Sequence, residues 1–419
     1  MNDTLQEGCG HDGPALEIEQ ALSRMRDELQ PIAGRQHVPV REALGRVLAG
    51  SLVSPLDVPS ADNSAMDGYA LRSADLREGG RLRVVGDAYA GHPYLGTLGP
   101  GQCVRIMTGA VIPEGADTVA MQEHVTRDGE SVQVERELRR GEHVRLHGED
   151  ISRGSQLMGP GHRVTAADLG VLASLGFAEV AVRRRLRVAF FSTGDELRSL
   201  GQPLGPGEIY DSNRYSLHGL LTRFDAELLD LGVVPDRLDA LEAALDQAAA
   251  DADVVITSGG VSVGDADHVR EALQRRGRMA FWSVNIKPGR PLAFGRLGRA
   301  AFFGLPGNPV SVVVTFCQLV QPALRHLEGA ARCPRLRFPA VAASAFRKKA
   351  GRAEFPRGIL EPGGEGAWRV RSAGAQGAGV LRSLSEGDCF VVLDPDRGPV
   401  AEGESVLVEP FRGNEWATL

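Results

Sequence analysis

The sequence predicts a multidomain protein of the α/β plus β class. A central doubly wound α/β domain is expected beside a β-rich inserted domain and a small C-terminal β domain. Apolar strand-like runs alternate with helical patterns over residues 181–330, which is typical of the central domain. Short β-like runs separated by Gly, Pro and Asp fill 54–144, and similar runs without a long helical stripe fill 333–419. The length of 419 residues suggests about three or four domains.

In the N-terminal half, two helical segments flank the inserted β domain. Apolar residues at spacings of 3, 4 and 7 predict an amphipathic helix over 17–30. Beyond the inserted domain, Thr165 and Asp168 form a capping-box pattern, and Gly176 supplies a helix stop. Residues 15–53 and 145–180 are therefore assigned to one N-terminal linker domain of helical and β structure, interrupted by 54–144.

Four apolar runs in the second half pass directly into turns rich in Gly, Pro and carboxylates. The runs cover 188–191, 254–256, 284–286 and 301–303, with helical patterns over 217–228, 238–250, 269–276 and 310–327. In an open parallel sheet, ligands bind where loops leave the carboxyl ends of the strands. Because all four runs are interpreted as strands of such a sheet, we expect their turns to form one composite site for an anionic ligand.

The residue types in these turns favour phosphate recognition with a divalent cation. Glycines let backbone N–H groups face an anion, and a following helix adds its positive end. Carboxylates in the same turns would repel a phosphate unless a cation lay between them, and Mg²⁺ is the usual one. A Walker-type loop is excluded because the sequence has no Gly-Lys pair, and no G-x-G-x-x-G fingerprint follows these strands.

The composition argues against several other classes of protein. A net charge of -7 disfavours non-specific nucleic-acid binding, and 42% hydrophobic residues are typical of a soluble globular protein. The five cysteines are far apart without a CxxC pair, so neither a disulfide framework nor a zinc site is indicated. The N-terminus lacks a signal pattern, and no uninterrupted apolar stretch reaches about 18 residues. We therefore expect a cytoplasmic protein that does not bind membranes.

Five motifs carry a resemblance that covers nearly the whole chain. They lie at residues 59–70, 105–110, 148–151, 192–197 and 258–267. In this order they closely resemble the molybdopterin molybdenumtransferase family, the MoeA-type enzymes of molybdenum cofactor synthesis, whose eukaryotic relative is the E domain of gephyrin. The resemblance implies a central domain of the molybdopterin-binding type.

The same resemblance implies an activity and an assembly. Family members insert molybdate into the dithiolene of adenylylated molybdopterin and release AMP, using Mg²⁺. They are homodimers whose site lies between the α/β domain of one subunit and the β domain of the other. Adenylylated molybdopterin and molybdate are thus the expected ligands, and contacts with other proteins of molybdenum cofactor synthesis are a further expectation.

The resemblance also assigns roles to individual residues. The catalytic positions fall on Asp67, Thr108, Glu196, Asp236, Asp267 and Lys287, and the expected metal ligands are Asp265 and Asp267. Substrate binding is expected of residues in the strand-end turns and of two arginines: Thr193, Gly194, Ser258, Gly259, Gly260, Ser262, Gly264, Pro288, Arg290, Pro306, Gly307, Asn308 and Arg357. Lys287 also stands out by composition, because only three of the 47 basic residues are lysines.

Several of these residues have a purely structural interpretation too. Asp67 precedes a glycine and is typical of a turn, Thr108 is typical of a strand end, and Glu196 of the first turn of a helix. Asp267 is also typical of a helix cap, although its pairing with Asp265 favours a metal role.

The anion-binding residues show one departure from the family pattern. Some relatives have a second lysine four residues before Lys287, where this chain has Ser283. Anion binding is therefore expected to depend on Lys287 together with Arg290 or Arg357. The basic stretch over 335–357 is either a solvated face or a site for molybdate or the pterin phosphate.

Two other functions remain open from the sequence. The α/β domain also resembles the separate molybdopterin adenylyltransferases, which would make the chain an ATP-dependent adenylylating enzyme. A non-enzymatic scaffold, as gephyrin is at receptors, is the second alternative. The intact set of acidic site residues disfavours a pure scaffold.

Overall fold

The computed structural model describes residues 15–78, 81–260 and 268–411. The chain forms two compact units. The smaller unit comprises Gly50–Gly159 and Ala167–Glu179, and the larger comprises the described residues of Met1–Ala49, Pro160–Ala166 and Val180–Leu419. The multidomain α/β plus β class expected from the sequence is confirmed, whereas the finer domain boundaries remain predictions.

The first described elements of the larger unit are helix α1 (Ile18–Glu28) and strand β1 (Arg35–Pro39). The side chains of Ala21, Leu22 and Met25 are buried along one face of α1, as the apolar spacing predicts. A capping box formed by Glu17 and Gln20 satisfies backbone groups at the start of the helix.

The smaller unit is built on a mixed six-stranded sheet. Its strands and helix are β2 (Leu52–Val53), β3 (Asn63–Ser64), β4 (Gly68–Leu71), β5 (Arg81–Ala88), β6 (Gln102–Ile106), β7 (Thr118–Met121), β8 (Val125–Asp128), β9 (Ser131–Val134), β10 (Val144–Arg145), β11 (Gln156–Met158) and α2 (Ala166–Ser174). The order in the large sheet is β7-β4-β6-β5-β9-β8. All four residues of β4 are buried, so the chain on either side of this strand is held firmly.

The larger unit contains the α/β domain. Its elements are β12 (Glu179–Arg183), β13 (Arg187–Thr193), β14 (Leu197–Arg198), β15 (Ile209–Tyr210), α3 (Ser212–Thr222), β16 (Glu227–Val234), α4 (Leu238–Asp251), β17 (Val254–Ser258), α5 (His268–Arg276), β18 (Arg278–Ser283), β19 (Ile286–Lys287), β20 (Pro291–Leu297), β21 (Ala300–Leu305), α6 (Pro309–Thr315) and α7 (Gln321–Leu327). A π-helical turn, Phe316–Val320, joins α6 to α7. The central sheet has the order β16-β13-β17-β21-β20-β18, and β1 pairs with β12 outside it.

Helices cover both faces of this central sheet. On one face, Val188 and Phe190 of β13 belong to a core that also contains Leu217 of α3 and Val312 of α6. On the other face, Ala189 and Phe191 belong to a core formed with α4 and α5. Alternate residues of one strand thus serve opposite layers, as the period of two in a strand requires.

One of the four apolar runs is not a strand of the central sheet. The strands β16, β13, β17 and β21 are parallel, but β20 and β18 are antiparallel to their neighbours. The run over 284–286 ends in the two-residue strand β19, which pairs with a C-terminal strand at Ala353 and Glu354. The prediction that this turn lies at a carboxyl end of the parallel sheet was therefore wrong, because a long-range pairing captures the segment.

The C-terminal β domain is a closed five-stranded barrel. The elements after α7 are β22 (Phe338–Ala342), β23 (Ala353–Glu354), β24 (Arg357–Pro362), β25 (Trp368–Ser372), α8 (Arg382–Glu386), β26 (Cys389–Val392) and β27 (Ser405–Pro410). The barrel order is β22-β25-β24-β26-β27, while β23 pairs with β19. Phe355 and Phe390 belong to the same core as the central sheet, so this barrel is docked against the α/β domain.

One described helical stretch, Pro309–Leu327, is long and apolar enough to cross a membrane by length and composition alone. In the structure, 67% of its apolar window is buried. Its side chains, including Val312, Phe316 and Leu324, belong to the core of the α/β domain, which explains their apolar character.

Candidate functional site

A cavity of about 1370 Å³ lies in the larger unit, between the loops of the central sheet and the barrel. Its described lining includes five basic and three acidic side chains: Lys287, Arg290, Arg347, Arg352, Arg357, Glu196, Asp236 and Glu354. Glycines and prolines make up much of the remainder. The cavity is large enough for a drug-sized or nucleotide-sized ligand.

The loops after β13 and β17 form one wall of the cavity. Gly259 has a φ of 92°, and a Cβ at this position would lie 2.3 Å from the carbonyl oxygen of Thr193. Only glycine fits both constraints, so the two loops approach each other closely. Beneath them, the Ser192 hydroxyl donates to Asp211 at 3.1 Å and lies 3.4 Å from the Ser258 hydroxyl, forming a buried polar layer.

Several buried oxygen atoms near the strand ends have no hydrogen-bond partner. Among the described residues these include Thr193 Oγ1, Asn213 Oδ1 and Asp236 Oδ1. The Asn213 amide is held in place because its Nδ2 donates to the carbonyl of Gly307 at 2.7 Å. A buried polar atom without a partner costs about 1–3 kcal/mol, and two of these residues, Thr193 and Asp236, line the cavity, where a ligand can supply a partner.

The surroundings of Asp236, which follows β16, shift the pKa of its carboxyl group. Burial raises the pKa of Asp236, and the negative charges of Asp195 and Glu196 raise it further, while His268 acts in the opposite direction. Such a carboxylate is stabilised in its charged form by a cation. The described residues hold no group of three or more His, Cys, Asp or Glu placed to bind a metal by themselves. A cation here therefore needs further ligands beyond the described residues or from a substrate.

The opposite wall carries the positive charge. Lys287 is the last residue of β19, Arg290 lies in the turn after it, and Arg347, Arg352 and Arg357 belong to the barrel domain. The carboxylates Glu196 and Asp236, in contrast, follow strands β13 and β16 of the central sheet. One cavity therefore has an acidic side, formed by carboxylates that follow strands of the central sheet, and a basic side, formed by β19, its turn and the barrel domain.

Arg357 is almost fully buried, with 1% of its surface exposed. Its Nε donates to Ser383 Oγ at 2.9 Å, and its Nη2 donates to the carbonyls of Gly377 and Ala375 at 3.2 and 3.4 Å. Burial lowers the pKa of Arg357 from 12.5 to about 10. No carboxylate of the described chain pairs with it, which is unusual for a buried guanidinium and indicates an anionic ligand.

Lys287 is fixed by an ion pair. Its Nζ lies 3.0 Å from Glu354 Oε2, with 52% of the lysine side chain exposed and 7% of the glutamate side chain exposed. Strands β19 and β23 place the two residues directly opposite each other in a parallel pair. The ammonium therefore stays at the cavity surface with donors left over for a ligand.

Asp67 and Thr108 lie together in the smaller unit. Asp67 Oδ1 accepts hydrogen bonds from the backbone N–H of Thr108 at 2.7 Å and from its hydroxyl at 2.8 Å. These two bonds lower the pKa of Asp67. Strands β4 and β6 pair antiparallel and bring these neighbouring loops together. Thr108 is thus bonded to Asp67 and does more than end a strand.

The structure brings most of the expected substrate-binding residues to one cavity. The described residues among them that line it are Thr193, Gly194, Gly259, Gly260, Pro288, Arg290, Pro306, Gly307, Asn308 and Arg357, together with Glu196, Asp236 and Lys287. Ser258 is buried beneath the loops rather than on the surface. Ser262, Gly264, Asp265 and Asp267 lie outside the described residues. Glu196 does not begin a helix, because strand β14 follows it.

Sequence reasoning missed three residues of this site. Asn213 was detectable in principle from its position in the sequence. Asp211 caps the start of helix α3, which makes Asn213 the second residue of the helix. Glu354 and Ser383 carried no such local signal, since their partners Lys287 and Arg357 are distant in sequence.

The basic stretch over 335–357 has no single role. Arg335 and Arg337 pair with the buried Glu409. Lys348 is buried and donates to the carbonyl of Arg352 at 2.7 Å. The residues of this stretch that line the cavity, among them Arg357, belong to the basic side described above. The interpretation as a uniformly solvated face is therefore wrong.

The chain matches three family regions along its length. Residues 16–176 match the MoeA N-terminal region (domain I and II), 189–326 match the probable molybdopterin binding domain, and 339–411 match the MoeA C-terminal region (domain IV). Similar proteins include the molybdopterin molybdenumtransferase of Haemophilus influenzae, 44% identical over 398 residues that cover 94% of this chain and 98% of the relative. Gephyrin of Dictyostelium discoideum is 32% identical over 94% of this chain and 62% of its own length.

Solved structures agree with these matches. A molybdopterin biosynthesis moeA protein of Pyrococcus horikoshii superimposes with a TM-score of 0.83 at 29% sequence identity, covering 95% of this chain and 100% of that protein. The likeness extends over all three matched regions, so the cavity lies within a shared fold.

Proposed function

The chain belongs to the molybdopterin molybdenumtransferase (MoeA) family, and we propose on this premise that it inserts molybdenum from molybdate into adenylylated molybdopterin and releases AMP. Family membership makes it a transferase of molybdenum cofactor biosynthesis. The adenylylated form of the substrate, the release of AMP and the use of Mg²⁺ are the finer parts of the proposal.

The observation that carries the proposal is the separation of charge within one cavity. The basic side offers Lys287, Arg290 and the buried Arg357, which suit the phosphates of a nucleotide and a tetrahedral oxyanion. The opposite side offers the carboxylates of Glu196 and Asp236 and N–H groups in glycine turns. A substrate with several phosphate charges and a second small dianion matches both sides.

Asp236 fits a divalent cation, because a buried oxygen without a partner and a raised pKa both favour one. We propose that Asp236 and Glu196 hold Mg²⁺ together with Asp265 and Asp267, the ligands expected from the sequence. Bound there, Mg²⁺ would neutralise charge at the phosphoanhydride that is cleaved. Mg²⁺ commonly uses one or two carboxylates with substrate phosphates, so two described carboxylates are enough to begin such a site.

The proposed reaction requires little covalent participation by the protein. When water cleaves the phosphoanhydride to give AMP and the pterin phosphate, the departing phosphate needs stabilisation, which Lys287, Arg290 and the backbone N–H groups of the glycine turns supply. Burial raises the pKa of the Cys317 and Cys389 thiols to about 12, so neither is a thiolate nucleophile at neutral pH. Stabilisation by fixed charges is therefore the proposed source of catalysis.

Asp67 and Thr108 enter the proposal through a homodimer. Their hydrogen-bonded arrangement leaves the second oxygen of Asp67 without a bond to Thr108. We propose that this pair completes the cavity of a partner subunit, so a monomer would be inactive. A cytoplasmic location and contacts with other proteins of the pathway belong to the same proposal.

The deciding experiment measures AMP release from purified adenylylated molybdopterin with and without molybdate and Mg²⁺. The proposal expects release only when both are present, without consumption of ATP. ATP-dependent formation of the adenylylated pterin would instead identify an adenylyltransferase. No release under any condition would favour a scaffold without enzymatic activity.

A further inference from the structure

Glu354 is the one carboxylate on the basic side among the described residues that line the cavity. Its side chain is 7% exposed, and its cationic partner is Lys287 at 3.0 Å. A negative charge at this place opposes the binding of any oxyanion to the surrounding arginines. Its presence there therefore calls for a specific role.

The backbone fixes where this carboxylate lies. The N–H of Glu354 donates to the carbonyl of Leu393 at 2.9 Å, and its carbonyl accepts from the N–H of Leu393 at 3.0 Å. On the other edge, β23 pairs with β19 so that Lys287 faces Glu354. The glutamate is thus held from two sides, while the lysine side chain is half exposed and long. In this ion pair the Glu354 carboxylate is fixed in position, and it restrains the Lys287 ammonium.

An ammonium has three donors, and one bond to Glu354 leaves two for a ligand. An oxyanion that binds Lys287 therefore lies near the carboxylate and is repelled by it. This repulsion weakens oxyanion binding by more than the restrained Lys287 side chain strengthens it, because charges in a partly buried site interact strongly at short distance.

We propose that Glu354 is a positioning residue that holds the Lys287 ammonium at the cavity and keeps the affinity of the basic side for free oxyanions low. This inference rests on the proposed function, since it concerns the same oxyanion site. The consequence is selectivity. Inorganic sulfate or phosphate, which lacks the further contacts of the true ligands, does not remain bound at Lys287.

Equilibrium dialysis of molybdate and of sulfate against the full-length protein tests this inference. Glu354→Gln keeps the shape and the hydrogen-bond acceptor for Lys287 but removes the charge. We expect this variant to bind both oxyanions about tenfold more tightly, the order of magnitude of one partly screened charge. Glu354→Asp, which withdraws the charge by one methylene, should give an intermediate affinity and serves if the glutamine variant folds poorly.

The matched controls separate positioning from a general effect. Glu361→Gln removes another paired glutamate of the same barrel, one bonded to Arg371 outside the cavity lining, and should leave oxyanion binding unchanged. In a Lys287→Met background no ammonium holds an oxyanion beside residue 354, so replacing Glu354 by Gln should no longer tighten binding about tenfold.

Unchanged or weaker oxyanion binding in Glu354→Gln, or an equal gain in the Lys287→Met background, would overturn the inference while leaving the proposed function intact. A wild-type protein that binds no molybdate and releases no AMP would overturn both. Inhibition of AMP release by sulfate gives a second measurement, and the concentration for half inhibition should fall about tenfold in Glu354→Gln.

Discussion

Replacing Arg357 by methionine removes the buried guanidinium of the basic side and keeps an apolar chain of similar length. The charged form of Arg357 is penalised by burial, which lowers its pKa from 12.5 to about 10. That difference corresponds to about 3 kcal/mol against the folded state. Because the folded-state pKa is depressed, the penalty acts in full below about pH 10 and disappears only as the pH rises from there towards 12.5.

The hydrogen bonds of Arg357 work in the opposite direction. Its three contacts with Ser383, Gly377 and Ala375 are lost in the variant, at about 1.5 kcal/mol each, the lower end for bonds to a charged group because two of them are long. Ser383 keeps its own bond to the carbonyl of Val380. The two effects nearly cancel, so we expect the free energy of unfolding of Arg357→Met to lie within about 1–2 kcal/mol of the wild type.

Oxyanion binding should respond far more strongly than stability. A hydrogen bond to a charged group contributes about 2 kcal/mol, which corresponds to about a 30-fold loss of molybdate affinity. Urea unfolding with and without molybdate measures both quantities, because a ligand at about 100 times its Kd adds about 2.7 kcal/mol to stability. At the same molybdate concentration the increment should fall to about 0.9 kcal/mol in the variant, since its Kd is about 30-fold higher.

Arg371→Met is the matched control, since Arg371 lies on the same barrel but is exposed and paired with Glu361. It should change neither stability nor molybdate binding appreciably. A loss of more than about 4 kcal/mol in Arg357→Met with unchanged molybdate affinity would refute the reasoning, because it would make the guanidinium a structural group.

Three further changes test other parts of the site. Asp236→Asn should be more stable than the wild type at pH 7, because the raised pKa of Asp236 means that its charged form costs stability above the ordinary value of 3.8. Thermal unfolding should show this gain shrinking as the pH falls through the raised folded-state pKa towards 3.8, below which it is absent, and Mg²⁺ should stabilise the variant less; lower stability at pH 7 would contradict the assignment. Lys287→Ala should retain dimerisation and adenylylated-pterin binding but lose most molybdate-dependent AMP release, with Lys287→Arg rescuing it partly. Normal AMP release from Lys287→Ala at low molybdate would remove Lys287 from the mechanism. Mixing Asp67→Ala with Asp267→Asn subunits should restore one active site per heterodimer, and no recovery in verified heterodimers would exclude a shared site.

The strand-end loops could be predicted from the sequence because local pattern and global fold agree there. Thr193 and Gly259 each follow a short apolar run, and parallel strands necessarily bring their carboxyl ends to one edge. The closed C-terminal barrel likewise agrees with the short runs and turns that predict a β domain.

The basic side could not be predicted in the same way. The run ending at Ile286 has the apolar character of a sheet strand, but it pairs with Ala353 in a domain that follows the complete α/β domain. Arg357 lies in a stretch whose charge predicts exposure, whereas packing against helix α8 buries it. Burial and pairing over such sequence distances depend on tertiary contacts that periodicity does not encode.

The two-residue ladder between β19 and β23 connects the Lys287 segment of the α/β domain to the barrel domain, whose Phe355 and Phe390 share the core of the central sheet. Exchanging the barrel domain between relatives would transfer Glu354 and Arg357 together and leave the glycine loops of the α/β domain unchanged. Chimaeras joined between residues 328 and 337 would keep Lys287 and Arg290 from one relative and take Glu354 and Arg357 from another, which divides the basic side of the cavity between two parent sequences.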